Sequence, residues 1–117
     1  MINRSEELAA YSTQLALSKK AEDIVILDVR DLTSIADFFV ICSGDSDTQI
    51  KAIADAILDG LEKEEVKVWH VEGYNGLRWV LLDYVDFVIH IFQKDVRPFY
   101  NLERLWGDAK TRMISSN

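Results

Sequence analysis

The sequence predicts an α/β domain in which helices pack on a mixed sheet of five strands. Short unbroken apolar runs, such as residues 38–42 and 87–92, have the length and composition of buried strands. Between them, apolar residues recur at the i, i+3, i+4 spacing of a helix. Ser46 and Gln49 precede this helical segment in the pattern of a capping box. Strands that alternate with helices in this way are typical of α/β proteins.

The N-terminal third is predicted to form one helix and two strands. The helix covers residues 5–20, because Ser5 can cap it and the acidic residues that follow stabilise its positive end. The apolar run at residues 24–27 is the first strand. A polar turn at residues 30–34 separates it from the second strand, at residues 38–42.

The C-terminal half is predicted to contain three more strands. After the capped helix, residues 66–72 alternate between polar and apolar, and a strand–helix–strand order implies a right-handed crossover to a parallel neighbour. Residues 79–82 and 87–92 are separated by a short connection, which favours an antiparallel hairpin.

The chain is then predicted to end in a short helix and a polar tail. Pro98 lies in the first turn of the helix, and Gly107 at its end. This helix would place Phe99, Leu102 and Trp106 on one face. The polar tail, residues 110–117, is expected to fray.

Length and charge limit the possible functions. With 117 residues, of which 49% are hydrophobic, the chain is predicted to be one domain over residues 1–117. Thirteen basic and 20 acidic residues give a net charge of −7, which opposes a nucleic-acid groove and favours a basic protein partner. We expect a cytoplasmic protein without a membrane contact, because no apolar run approaches the length of a membrane span or a signal region, and Cys42 is the single cysteine.

The sequence contains three weak candidates for catalytic chemistry. Asp28, Asp83 and Asp86 lie at predicted strand ends, where converging carboxylates could hold magnesium, although such acids more often form turns. The turn at residues 43–47 could bind an anion, but it already contains two aspartates. His90 could pair with a carboxylate, but a histidine within an apolar strand is more often a packed sheet residue. We therefore expect no metal, no cofactor and no catalytic set.

The segment from residue 74 to residue 84 favours a binding surface. It contains side chains of the types that dominate binding hot spots, namely Tyr74, Arg78, Trp79 and Tyr84. Alternation along the predicted strand sends Trp79 and Leu81 to one face and Val80 and Leu82 to the other. One of these sets is core, and composition leaves open whether Trp79 belongs to it.

Four collinear motifs resemble one protein family. They are IADFFVICSG at residues 35–44, VEGY at 71–74 with RWVLLDY at 78–84, DFVIHIF at 86–92, and YNLERLW at 100–106. The sequence resembles the ribosomal silencing factor, or Iojap, family over about residues 5–109. Several motifs in one order make this resemblance specific.

The resemblance implies a fold like that of nucleotidyltransferases without their activity. It implies a protein that binds the large ribosomal subunit, through its ribosomal protein numbered fourteen, at the intersubunit face. Such a protein sterically blocks the small subunit and represses translation when nutrients are scarce. Such a protein is not an enzyme and needs no cofactor. The net charge of −7 adds the expectation of little direct contact with nucleic acid.

The resemblance also implies a contact site. The matching positions are Trp79, Asp83, Tyr84 and Asp86, with Arg78, Leu82 and Tyr74 as weaker neighbours. Many family members have glycine where this chain has Val85. Glycine readily supplies a positive φ that a β-branched residue resists, so we expect this turn to differ in shape.

Two alternatives remain open at this point. A nucleotide-binding or nucleotidyltransferase-type enzyme would use the turn at residues 43–47 and the strand-end carboxylates, but the Gly-Ser and Asp-x-Asp signature of those enzymes is absent from the sequence. A homodimer that covers one face when the protein is free would explain exposed aromatic side chains around residue 79.

Overall fold

The computed structural model describes residues 4–114, which form a six-stranded mixed sheet with helices on both faces. The helices are α1 (Arg4–Leu17), α2 (Asp47–Lys63), α3 (Arg97–Tyr100) and α4 (Leu102–Leu105). The strands are β1 (Glu22–Asp28), β2 (Phe38–Gly44), β3 (His70–Glu72), β4 (Trp79–Asp83), β5 (Phe87–Gln93) and β6 (Lys110–Ile114). The α/β prediction is confirmed, but its count of five strands is wrong. The predicted domain also includes residues 1–3 and 115–117, which lie outside the described residues.

The sixth strand forms where a frayed tail was predicted. β6 pairs antiparallel with β1, from Ile24 opposite Ile114 to Asp28 opposite Lys110. Without β6, the outer edge of the buried strand β1 would leave its backbone N–H and C=O groups unpaired. The polar residues of β6 suit a largely exposed edge strand, so their composition conceals the strand from sequence analysis.

The strand order corrects the predicted crossover. Across the sheet the order is β3-β4-β5-β2-β1-β6, so β5, and not β3, is the parallel neighbour of β2. β4 and β5 form the predicted antiparallel hairpin and lie between β2 and β3. β3 is also shorter than predicted, because Glu65 adopts a left-handed φ of 62° after α2 and the next residues pack against the core without pairing.

The main core lies between the sheet and the long helices α1 and α2. The predicted apolar face of α2 is confirmed, since Ile50, Ile53, Ile57 and Leu61 are fully buried. The predicted cap is also present, with the Ser46 hydroxyl accepting a hydrogen bond from the Gln49 N–H at 3.2 Å. No helix among residues 4–114 is long and apolar enough to cross a membrane.

The C-terminal helical segment differs from the single helix predicted. Asn101 adopts a left-handed φ of 41°, which divides the segment into the four-residue helices α3 and α4. Leu102 and Trp106 pack against the face of the sheet opposite to α1 and α2, but Phe99 is 88% exposed. The prediction that these three residues share one face is therefore wrong, because the break at Asn101 turns Phe99 away from the sheet.

Candidate functional site

Strand β4 separates the predicted contact residues between the two faces of the sheet. Val80 and Leu82 are fully buried and belong to the core beneath α1 and α2. Trp79 packs with the smaller cluster on the opposite face, and alternation places Asp83 on that face too. We call this opposite side of the sheet, which α3 and α4 cover only in part, the open face.

Trp79 is half-buried on the open face and is held by three contacts. Its indole Nε1–H donates a hydrogen bond to Nδ1 of His90 at 3.1 Å. Its ring stacks on Phe92 with centroids 4.9 Å apart, and the ring of Tyr100 lies 4.3 Å away. Trp79 is therefore a fixed aromatic platform whose polar atom is already satisfied within the protein.

The imidazole of His90 supports this platform, because its Nδ1 accepts the hydrogen bond from Trp79. It is 6% exposed, and its hydrogen bond to Trp79 is the polar contact of its Nδ1. Burial lowers the pKa of His90 to about 4, so the imidazole is neutral near pH 7. A neutral ring that accepts a hydrogen bond at Nδ1 carries its proton on Nε2.

The hairpin between β4 and β5 contains a strained turn. Val85 has a φ of 72°, and the Asp86 N–H donates to the Tyr84 carbonyl at 2.9 Å across it. This is the geometry of the rarer, strained type of γ-turn, and valine is poorly suited to it. The Asp83 carboxylate accepts a hydrogen bond from the Val85 N–H at 2.8 Å and so supports the turn. Asp86 is exposed at its end.

Three of the predicted contact residues face the main core. Leu82 is 0% exposed, and Tyr84 is 7% exposed with its ring stacked on Phe87 at 5.0 Å. The Tyr84 hydroxyl is buried and has no hydrogen-bond partner among residues 4–114, and burial raises its pKa. Tyr74 packs against the same core, and its hydroxyl donates to Asp55 at 2.6 Å.

An aromatic groove lies next to Trp79 on the open face. It has a volume of about 580 Å³ and is lined by Gly73, Gly76, Arg78, Trp79, Val96, Phe99 and Tyr100. Arg78 is exposed at the groove, and Leu105 on the neighbouring helix is 70% exposed. Sequence analysis did not assign Tyr100 or Leu105 to a surface, although both belong to the motif at residues 100–106.

Trp69 is a further exposed aromatic that sequence analysis missed. It is 71% exposed, and its N–H donates to the carbonyl of Asp83 at 2.9 Å. It therefore lies at the same end of β4 as the strained turn. The sequence signal is a tryptophan beside a histidine, but the alternation of residues 66–72 predicts a continuous strand there.

The weaker candidates for catalytic chemistry have structural roles. Asp28 forms a two-point ion pair with Arg30, and this hydrogen bonding lowers the pKa of Asp28. In the turn at residues 43–47, the Asp45 N–H donates to the Gln49 side chain at 2.7 Å, where an anion would bind. Lys94 forms ion pairs with Asp45 and Glu22 beside it.

Neither a metal site nor a reactive thiol emerges from these residues. Within residues 4–114, no three His, Cys, Asp or Glu side chains are grouped so that they could hold a metal ion. Cys42 is buried in the main core, and burial raises its pKa.

Comparison with known proteins shows similarity to one protein family. The family model described as "Ribosomal silencing factor during starvation" matches residues 2–117. A protein named ribosomal silencing factor RsfS from Halalkalibacterium halodurans is 43% identical over 107 residues, which is 92% of each chain. The protein of the same name from Bacillus subtilis is 50% identical over 91 residues, covering 78% of this chain and 77% of its own.

The fold agrees with that of a solved structure of a related protein. A crystal structure of a protein from Chromobacterium violaceum superposes with a TM-score of 0.85 at 32% identity, covering 94% of this chain and 92% of the other. Plant proteins are also among the relatives, one from Arabidopsis thaliana named Iojap-related and one from Zea mays named Iojap. The family name describes a regulatory role and not an enzymatic one. The chain belongs to the ribosomal silencing factor (RsfS) family.

Proposed function

We propose that this protein binds the large ribosomal subunit, sterically blocks association with the small subunit and so represses translation when nutrients are limiting. Membership of the ribosomal silencing factor family supports a role on the ribosome. The observation that carries the proposal is the fixed, half-exposed Trp79 beside an acidic turn. The docking partner is the large-subunit ribosomal protein numbered fourteen, a basic protein at the intersubunit face.

The proposed docking surface consists of Trp79, Asp83, Asp86 and Arg78. An aromatic platform that is rigid before binding loses little conformational freedom on docking, which favours affinity. Asp83 and Asp86 direct negative charge outward from a protein of net charge −7. Those charges would attract a basic ribosomal protein and accelerate encounter more than they add to affinity.

The other three predicted residues support this surface from within. Leu82 and Tyr84 are buried, and Tyr74 is fixed to Asp55 on the helical side of the sheet. We therefore propose that they hold the hairpin in place and do not touch the partner. Steric exclusion requires neither catalytic turnover nor a cofactor.

Sedimentation with separated ribosomal subunits tests this proposal. The wild-type protein is expected to pellet with large subunits and to prevent subunit joining. Trp79→Ala should bind more weakly by about 2 kcal/mol or more, as hot-spot aromatics do. Met113→Ala is the matched control, because Met113 is 79% exposed on β6, at the far edge of the sheet.

Circular dichroism must accompany these assays, because Trp79 also packs on Phe92. A folded Trp79→Ala protein that binds with unchanged affinity would remove Trp79 from the docking surface. A wild-type protein that stays in the supernatant with both subunits would contradict the proposed function itself.

An enzyme with a nucleotidyltransferase-like fold is the alternative to exclude. Thermal shift measurements with magnesium and each nucleoside triphosphate test it, since a ligand bound by the native state must raise the melting temperature. The proposal also includes a cytoplasmic location and a homodimer of the free protein through the same surface. Sedimentation equilibrium of the protein alone measures that dimer.

A further inference from the structure

A group of exposed apolar side chains extends the surface around Trp79. Phe99, Tyr100 and Leu105 are 88%, 51% and 70% exposed, and we call these three residues the aromatic shelf. They lie on α3 and α4, neither of which contains a buried residue. Phe99 and Tyr100 line the groove beside Trp79, and clustered exposed apolar side chains of this kind commonly mark an interaction site.

The aromatic shelf is built into the fold through Arg97. The Arg97 guanidinium donates to the carbonyl of Asp23 at 2.7 Å and to the Ser43 hydroxyl at 2.8 Å. It also contacts the carboxylate of Glu103 at 3.2 Å. These bonds join α3 and α4 to β1 and β2 across the sheet. The exposure of the shelf is therefore fixed by the architecture.

Arg78 places a positive charge in the groove of an otherwise acidic protein. It lines the groove and is exposed, and its side chain has no hydrogen bond or ion pair within residues 4–114. Lys94 and Arg97, by contrast, are both paired with carboxylates. In a protein of net charge −7, an aromatic groove with an unpaired arginine is complementary to an apolar segment that carries a carboxylate.

We propose that the docking surface extends across the aromatic groove onto the aromatic shelf and there receives an apolar protein segment that carries a carboxylate. This inference rests on the proposed function and adds a second element to the same interface. An apolar side chain would lie between Trp79, Phe99 and Tyr100, with the carboxylate on Arg78. The groove volume of about 580 Å³ is within the usual range of binding pockets.

The two halves of this surface would then fix the orientation of the partner. Asp83 and Asp86 attract basic residues at the turn, and Arg78 attracts an acidic residue at the groove, so a reversed partner would place like charges together. Ribosomal RNA is a less suitable occupant, because the net charge of −7 repels its phosphates and the single arginine of the groove, Arg78, does not offset that charge.

Binding measurements with three variants test the proposal. We expect Phe99→Ser and Arg78→Glu to bind large subunits, and the isolated ribosomal protein numbered fourteen, at least 10-fold more weakly than wild type. Arg78→Lys keeps the charge and should lose less than Arg78→Glu. Met113→Ser removes another largely exposed apolar side chain, at the far edge of the sheet, and should stay within twofold of wild type.

The outcomes separate this inference from the proposed function. If the wild type binds and both Phe99→Ser and Arg78→Glu bind equally well, the shelf is not part of the interface. If these variants lose affinity only for protein-free large-subunit RNA, the occupant is RNA and the inference is wrong. If the wild type binds neither large subunits nor the ribosomal protein, both the proposed function and this inference are wrong.

Discussion

Protonation of His90 should destabilise the protein as the pH falls below neutrality. His90 is neutral in the folded state, because burial lowers its pKa from 6.5 to about 4. In the unfolded chain the same imidazole binds its proton near pH 6.5. Between these two pKa values the unfolded state binds more protons than the folded state. The free energy of unfolding therefore increases as the pH rises and decreases as the pH falls.

The size of this effect follows from the two pKa values. With a folded pKa of about 4, the linkage relation gives a loss of about 2 kcal/mol at pH 5 relative to neutral pH. The loss reaches a limit of about 3 kcal/mol below pH 4. Protonation would also turn the Nδ1 acceptor into a donor and break the hydrogen bond from Trp79.

Denaturant unfolding at pH 7 and pH 5, followed by Trp fluorescence, measures this loss. His90→Asn is the matched variant, because its side-chain oxygen can occupy the Nδ1 position and accept from Trp79 without titrating. The wild type should lose about 2 kcal/mol more than His90→Asn over this range. Equal losses in the two proteins, or a His90 imidazole that titrates near pH 6.5 in the folded state by NMR, would refute the reasoning.

Three substitutions test other parts of the structure, each by denaturant unfolding. Tyr84→Phe removes a buried hydroxyl without a partner and should stabilise the protein by about 1 kcal/mol, whereas a loss of stability would reveal a missing hydrogen bond. Val85→Gly relieves a left-handed φ at a cost in chain entropy and should yield a net gain of about 0.5 kcal/mol, while a clear loss would contradict the strained turn. Arg97→Met should cost about 2 kcal/mol and alter the tryptophan fluorescence, since it leaves the Ser43 hydroxyl and the Glu103 carboxylate without their shared donor; a change in neither would show that Arg97 does not anchor the shelf.

Features governed by local pattern were predictable from the sequence. The capping box at Ser46 and the buried face of α2 follow from helical periodicity, and the β4–β5 hairpin follows from two apolar runs with a short connection. The strand order was not predictable in this way, because β2 pairs with β5 across more than 40 residues of chain. The strand β6 was missed because an exposed edge strand lacks an apolar pattern.

The candidate site was predictable in residue type but not in orientation. The sequence identified Trp79 and the turn after it, but alternation alone could not decide which face of β4 was core. That choice depends on α1 and α2 packing against Val80 and Leu82, a long-range contact. The exposure of Phe99 was not predictable, because the spacing of this segment suggests one continuous helix. The left-handed φ of Asn101 interrupts that helix.

The stoichiometry of inhibition of subunit joining tests the central claim most directly. The protein would be titrated into a fixed amount of large subunits, and joining would be measured at two concentrations of small subunits. Steric exclusion predicts full inhibition near one protein per large subunit. That inhibition should be relieved in part by excess small subunits and should require more protein for a folded Trp79→Ala variant. Inhibition at far below one protein per subunit, or inhibition that excess small subunits leave unchanged, would contradict exclusion and indicate a catalytic or indirect mechanism.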